Sequence, residues 1–236
     1  MSKRSNVVVR RTSMRVVPVA AAALACGLAV SACGTTQLGA AAIAGGNRIS
    51  TATLTSEVAN LNSAYSSDKA KGISPQRPTG QEPQQVLTWL LLFRVYNRMA
   101  SQHGISVTTA DSERALNAYA AEAKQSNVTL QQYWSAGAAL PPDLLPQLGT
   151  AAAIQEMMIL QLNGGKAPTT TAQESAVDSS LSHQQCLAAK SLGISVNPQY
   201  GEYNYASFEV VPAPSSLAAE PSPSPSPSGV VTTPPC

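Results

Sequence analysis

The sequence contains few of the residues from which enzymes build metal or nucleophilic centres. Its 236 residues include two histidines and four cysteines, and charged residues make up 12% of the total. His103 and His183 lie far apart, and neither has a second histidine at the spacing of a zinc site. Motifs of the G-x-S-x-G, phosphate-loop, Rossmann and H-E-x-x-H types are absent. We therefore predict no metal, no cofactor and no catalysis, with an enzyme of unrecognised type as the alternative.

The sequence also lacks a large excess of charge of either sign. The formal net charge is +2, which is too small for a nucleic-acid-binding surface, so no nucleic-acid partner is predicted. Five of the fifteen basic residues precede residue 16, whereas the first acid is Glu57. Removal of residues 1–32 would leave ten bases against thirteen acids, a net charge of −3. Hydrophobic residues make up 44%, enough for a folded core.

The N-terminal segment has the pattern of an export signal. A basic stretch is followed by a mostly apolar run over 16–30, which is too short for a membrane-spanning helix. The run ends in Val-Ser-Ala-Cys-Gly at 30–34, which resembles the lipobox of bacterial lipoproteins. The resemblance implies that residues 1–32 are a lipoprotein signal peptide, that Cys33 is lipidated, and that the protein is anchored to the extracytoplasmic face of a cell membrane. An ordinary signal peptide with an incidental Cys33 is the alternative.

The composition divides the mature chain into three parts. Small residues over 33–42 predict a tether, and helical periodicity over 43–211 predicts one domain. Alternating proline and serine over 212–236 predict a disordered, polyproline-like tail. Export permits a disulfide between Cys186 and Cys236. The sequence favours separate thiols, because one cysteine lies in a predicted helix and the other ends the tail.

The 43–211 domain is predicted to be mainly α-helical, with short strands at its ends. The last helix is expected to fold back on the earlier helices, and strands near 43–49 and 205–211 to pair loosely. A loop is expected over 66–83, which is rich in glycine and proline. One predicted helix begins after Ser50, and two others begin after the caps Thr108 and Thr129. Three further helices are predicted over 84–102, 143–162 and 172–192.

The most apolar of these helices, 84–102, is a candidate binding element. On a helical wheel Leu87, Leu91 and Val95 lie among polar residues rather than on the main apolar face. They are therefore candidates for a groove that binds extended peptides. The alternative is that these three side chains contact the last helix in the core. Trp89 and Trp134, at helical spacing, are expected in the core.

Three stretches share a pattern with a chaperone family. They are the Asn-Arg-Ile-Ser run at 47–50, the A-x-x-x-G-I-x-V-T run at 100–108 and the ending at 188–201. In this order they resemble the N-terminal chaperone domain of SurA-type foldases and of the related trigger-factor and PrsA-like proteins. The resemblance covers about 43–208 and extends to short actinobacterial lipoproteins built on this domain. Parvulin-type isomerases add a catalytic domain, but only a loop separates residues 162 and 172, so isomerase activity is not implied.

These patterns together predict a membrane-anchored lipoprotein with chaperone-like holdase activity. Its expected partners are unfolded or secreted polypeptides and, through the lipid, the membrane. The alternative function is a scaffold lipoprotein that binds one specific partner in the cell envelope.

Overall fold

The computed structural model describes residues 39–213, so the predicted signal peptide, Cys33 and residues 214–236 of the predicted tail lie outside the described residues. The described chain is mainly helical, which confirms the predicted fold class. Within residues 39–213, no helix combines the length and apolarity that crossing a lipid bilayer requires. The helices are α1 Thr51–Lys69, α2 Glu82–His103, α3 Thr109–Gln125, α4 Leu130–Ala138, α5 Leu145–Leu162 and α6 Thr171–Leu192, and the strands are β1 Ala40–Ala44, β2 Asn47–Ser50, β3 Ser195–Val196, β4 Glu202–Asn204 and β5 Glu209–Val211.

Local capping interactions set most helix ends. Ser50 accepts a hydrogen bond from a backbone N–H at the start of α1, as predicted. Thr108 and Thr129 are the N-caps of α3 and α4, and each forms a full capping box. The threonine side chain accepts a hydrogen bond from the backbone N–H three residues later, and the side chain of that later residue accepts one from the threonine N–H. Helices α2 and α6 end at Gly104 and Gly193, both in the left-handed conformation that glycine adopts without strain.

Helix α1 is longer than the sequence indicates. It continues to Lys69, so the connection to α2 begins later than the predicted loop over 66–83. The last turn of α1 is held by a tertiary contact, because the buried Asp68 accepts a hydrogen bond of 2.9 Å from the Ser135 hydroxyl of α4. Local sequence carries no sign of this contact.

The domain also begins earlier than expected. Residues 40–42, predicted to belong to the 33–42 tether, form part of β1 and are at most 1% exposed. Alanine has a low preference for strands, which is why the sequence does not indicate β1. Strand β1 nevertheless pairs with β2 on one side and with β3 on the other, and most of its side chains are buried.

The strands form two separate small sheets. In the first, β1 lies between β2 and β3, and both pairings are antiparallel. In the second, β4 pairs with β5. The predicted pairing of 43–49 with 205–211 is therefore wrong. Residues 43–49 belong to the β1–β2 hairpin, which turns at Gly45 and Gly46, both with positive φ.

Helix α2 is the central element of the domain. It packs against α1, α5, α6 and β5. Helix α6 contacts α2 and α5, which confirms the prediction that the last helix folds back on earlier ones. The core therefore surrounds α2 on several sides.

A glycine allows α3 and α5 to approach each other closely. A Cβ added at Gly149 would lie 2.7 Å from Cγ of Leu116 and 2.8 Å from the carbonyl oxygen of Ser112, both on α3. Both distances are shorter than van der Waals contact, and one of the two atoms belongs to the backbone. The approach of the two helices therefore requires glycine at 149.

We predict that Gly149→Ala lowers the free energy of unfolding by about 1–3 kcal/mol, because overpacking forces α3 away from α5. Gly137→Ala is the matched control, since a Cβ at Gly137 in α4 would meet nothing within 4 Å. The control is expected to leave stability unchanged or to raise it by up to about 1 kcal/mol, because alanine favours helix. Urea denaturation measures both. Equal effects of the two substitutions would contradict the close approach.

Glu57 is an acidic residue of α1 whose carboxyl group lies in an unfavourable environment. Its Oε2 is buried and has no hydrogen-bond partner among the described residues. Burial, together with the negative charge of Asp143, raises the pKa of Glu57 above its ordinary value of 4.5. Folding therefore favours the protonated carboxyl.

We predict that this carboxyl destabilises the native state as it ionises. The wild type should lose stability as the pH rises from about 4.5 through the raised pKa of the folded state. Glu57→Gln should melt at a higher temperature than the wild type at pH 7, and the difference should vanish at pH 3.5. Glu113→Gln, at an exposed position of α3, is the control. A pH-independent difference for Glu57→Gln would contradict the proposed cause.

Candidate functional site

The three residues selected from the helical wheel lie in the core. Leu87, Leu91 and Val95 are each 0% exposed. They do not line an open groove, and their burial supports the alternative of core packing. The wheel places them among polar residues, but neighbours cover α2 on more than one side, so a second face of the helix is also buried.

An open groove lies instead between the first half of α2 and strand β5, and we call it the α2–β5 groove. Its volume is about 470 Å³. The floor consists of Trp89, Leu92 and Tyr96, which recur at helical spacing along α2. The remaining lining residues are Arg77, Pro78, Gln81, Gln84, Gln85, Thr88, Ala138, Gln185 and residues 207–212.

Hydrogen bonds fix the two aromatic side chains of the floor. The indole N–H of Trp89 donates to the carbonyl oxygen of Ala138 over 2.9 Å. The hydroxyl of Tyr96 donates to Gln155 Oε1 over 3.0 Å and accepts from Gln185 Nε2 over 2.7 Å. Tyr96 therefore joins α2, α5 and α6. Burial raises its pKa to about 12, so the hydroxyl stays neutral at physiological pH.

Strand β5 forms one wall of the groove. The backbone N–H of Val210 donates to the Thr88 hydroxyl over 2.9 Å, which attaches the strand to α2. Gly201, at φ +118°, allows close approach of the Val211 carbonyl, which any Cβ at that position would overlap. Arg77 lies 3.9 Å from Glu209 at the rim, where both side chains are half-exposed and the ion pair contributes little stability.

Two side-chain amides supply unused hydrogen-bonding capacity in the groove. The Oε1 atoms of Gln84 and Gln85 are buried and have no hydrogen-bond partner among the described residues. The amide nitrogen of Gln85 donates to the Pro78 carbonyl over 3.0 Å. A buried acceptor without a partner costs about 1–3 kcal/mol. These oxygens would face a ligand in the groove only after rotation of the two side chains.

A smaller cavity lies behind the floor. Its volume is about 130 Å³, and Trp89, Leu92 and Tyr96 line both this cavity and the groove. Aromatic side chains surround it, with Trp134 packed edge-to-face against Trp89 at 5.9 Å and against Tyr119 at 5.0 Å between ring centroids. The packing beneath the floor is therefore incomplete.

A second depression, of about 550 Å³, is polar and is used by the fold. The guanidinium of Arg94 donates to the carbonyl oxygens of Asn47 and Arg48 over 2.8 and 3.1 Å. The Arg98 Nε–H donates to the Ser191 hydroxyl over 3.0 Å. These bonds hold the β1–β2 hairpin and α6 against α2, so the arginines have a structural role.

The two histidines lie outside the α2–β5 groove. His103 Nε2 is 3.0 Å from Gln184 Oε1, a hydrogen bond that links the end of α2 to α6. His183 is exposed on α6. Within residues 39–213, no set of three or more His, Cys, Asp or Glu side chains lies close enough together to bind a metal ion.

Cys186 of α6 is disulfide-bonded and 1% exposed. The partner cysteine lies outside the described residues. The expectation of a separate thiol at 186 is therefore wrong. A position within α6 is thus compatible with a disulfide.

The sequence patterns did not predict that Trp89, Leu92 and Tyr96 form the floor of a groove. Trp89 was expected in the core, but it is only half-buried and lines the open surface. A signal was present, because Gln85 precedes Trp89 by one helical turn and places a polar amide beside an aromatic ring on the same face. The position of β5, more than a hundred residues later, decides that this face forms a groove.

No protein-family model, no curated protein and no solved structure matches this chain. The resemblance to SurA-type chaperone domains therefore stays a prediction from the sequence. The fold and the geometry of the groove are the basis for inferring a function.

We predict that Tyr96→Phe lowers the free energy of unfolding by about 2 kcal/mol, because it removes two partly buried hydrogen bonds and leaves Gln155 and Gln185 without this partner. Tyr133→Phe is the control, since the Tyr133 ring packs on Trp134 while its hydroxyl has no hydrogen bond within the described residues. Urea denaturation at pH 7 compares the two. Equal losses would refute the bridging role.

Proposed function

We propose that this protein is a lipid-anchored, extracytoplasmic holdase, which binds extended segments of unfolded polypeptides in the α2–β5 groove without catalysis. The observation that carries the proposal is the pairing of an apolar aromatic floor with two buried amide oxygens that have no partner. Apolar pockets with a few convergent polar groups are the usual form of binding sites.

An extended polypeptide has the complementary chemistry. Its apolar side chains would pack on Trp89, Leu92 and Tyr96, where each buried CH₂ group contributes about 0.8 kcal/mol. After rotation of the Gln84 and Gln85 side chains, whose amide oxygens are buried without a partner, the backbone N–H groups of the client would donate to these oxygens. Backbone donors are present in every sequence, so this arrangement favours many clients over one.

The electrostatics of the groove also support a broad range of clients. The two charges at its rim, Arg77 and Glu209, are of opposite sign and close together. Their fields largely cancel at a distance. A segment of either charge could therefore approach the groove.

Two features of the sequence support the proposed location and class. The lipobox-like run ending at Cys33 supports a membrane anchor outside the cytoplasm. The resemblance to SurA-type chaperone domains supports the binding of unfolded chains. Neither feature identifies a client.

Light scattering of an aggregating client tests the general activity. The mature, detergent-solubilised protein should suppress aggregation of a chemically reduced client at near-stoichiometric ratios. No suppression at large excess would overturn the holdase proposal. A pull-down that then returned one stoichiometric envelope protein would favour a dedicated scaffold.

We predict that Gln84→Ala combined with Gln85→Ala weakens binding of a reduced, carboxymethylated client about tenfold, because two hydrogen bonds to the client are lost. Gln102→Ala is the matched control, since Gln102 lies on the same helix outside the groove and bonds to Ser191. Fluorescence anisotropy of the labelled client gives the dissociation constants. Equal affinities for the two variants would contradict the assignment of the site.

A further inference from the structure

The polar depression of about 550 Å³ lies between the β1–β2 hairpin, the second half of α2 and the end of α6. It is separate from the α2–β5 groove, with which it shares no lining residue. The charged side chains of its lining are those of Arg94 and Arg98, and none of the described residues that line it is an aspartate or a glutamate. The depression therefore has a positive charge that its own lining does not offset.

The two arginines are neighbours on one face of α2. Residues four positions apart in a helix have Cβ atoms about 5–6 Å apart, and like charges at this spacing are destabilising. Both arginines line the depression. An anion between the two guanidinium groups would replace this repulsion by attraction.

The acids of the surrounding elements lie far from the depression. In α2 the acidic residue is Glu82, twelve residues or about 18 Å before Arg94. In α6 the last acidic residue is Asp178, thirteen residues or about 20 Å before Ser191. Strands β1 and β2 contain no acid. These separations exceed the screening length of about 8 Å at physiological ionic strength, so the acids of these elements do not neutralise the arginines.

Most N–H donors of the two guanidinium groups are not used by the fold. A guanidinium has five N–H donors. Within residues 39–213, Arg94 donates two hydrogen bonds, to the carbonyl oxygens of Asn47 and Arg48, and Arg98 donates one, to the Ser191 hydroxyl. The carbonyl of Leu192, which also lines the depression, already accepts from the Gly45 N–H over 2.6 Å. The remaining donors are thus available to a ligand.

Partial burial makes the charge of Arg94 costly in the empty depression. Burial lowers the pKa of the Arg94 guanidinium below its ordinary value. Arginine titrates so far above neutrality that the group stays charged at physiological pH. A bound anion would compensate for the water that this charge has lost.

We propose that the depression binds a phosphate ester, with the guanidinium groups of Arg94 and Arg98 donating to the phosphate oxygens. Guanidinium matches phosphate geometry, and the several acceptor oxygens of a phosphate suit two guanidinium groups better than the two oxygens of a carboxylate. The volume is that of a small-molecule site. The exposed side chains of Asn97 and Ser101 also line it and can bond to hydroxyl groups of the esterified alcohol. The ligand class is therefore a phosphate ester of a polyol such as glycerol.

This chemistry has two sources, which are a soluble glycerol phosphate and the headgroup of an anionic phospholipid. The test uses the full mature chain, residues 33–236, with Cys33→Ser so that no lipid is attached. Calorimetric titration with glycerol phosphate measures binding of the soluble form. Flotation with vesicles of phosphatidylglycerol and phosphatidylcholine in equal parts, compared with phosphatidylcholine alone, measures binding of the headgroup.

We expect Arg98→Gln to weaken binding of the probe about tenfold, because charge-assisted hydrogen bonds are lost. The link between α2 and α6 is retained in this variant, since Gln102 also donates to the Ser191 hydroxyl. Arg114→Gln is the matched control. It removes the same charge from α3, where the guanidinium bonds to Asp111 and Glu156, and should leave binding unchanged.

Asn97→Asp tests the site without removing any structural hydrogen bond. Asn97 is exposed, and its side chain has no hydrogen bond within the described residues. The change adds a carboxylate of nearly the same shape beside the two arginines, so binding should fall at least tenfold. Asn62→Asp, at an exposed position of α1, adds the same charge elsewhere and is the control. Urea denaturation checks that all variants fold.

Binding of either probe that Asn97→Asp abolishes and Arg114→Gln preserves would support the site, and the probe that binds identifies the source. No binding of either probe, or equal losses in Arg98→Gln and Arg114→Gln, would overturn it. The outcome is independent of the proposed function. The Gln84→Ala, Gln85→Ala variant should bind the phosphate probe like the wild type, whether or not the protein is a holdase.

Discussion

The burial of α2 on several sides is the constraint on which the rest of the domain depends. Leu87, Leu91 and Val95 have no exposed surface, and α1, α5 and α6 supply the neighbours that cover this helix. These neighbours leave one face of α2 partly open to the groove. That face, from Trp89 to Tyr96, forms the floor of the α2–β5 groove. The candidate site is thus the place where packing around α2 is incomplete.

Much of the fold follows from local sequence. Capping boxes at Thr108 and Thr129 and glycines at the ends of α2 and α6 act over three to five residues, so the sequence alone locates them. Strand pairing was predicted incorrectly. Strand β1 is made of alanines and one isoleucine, and its partners β2 and β3 are selected by tertiary contacts rather than by strand preference.

The candidate site was less predictable than the fold. A helical wheel identifies apolar faces but cannot show which neighbour covers each face, and α2 has more than one. Leu87 was a candidate for a groove with core packing as the alternative, and Trp89 was expected in the core. The structure buries Leu87 in the core and places the partly buried Trp89 at the groove. The unpartnered oxygens of Gln84 and Gln85 depend on distances between elements, which no sequence pattern contains.

The small cavity behind the floor has a consequence for the response of the domain to hydrostatic pressure. The cavity is partly open, so only the part of its 130 Å³ that water does not fill is lost as void when the chain unfolds. Compression therefore acts against the packing of Trp89 on Trp134. The region beneath the groove is then a place where pressure acts on the packing of side chains and leaves the helices intact.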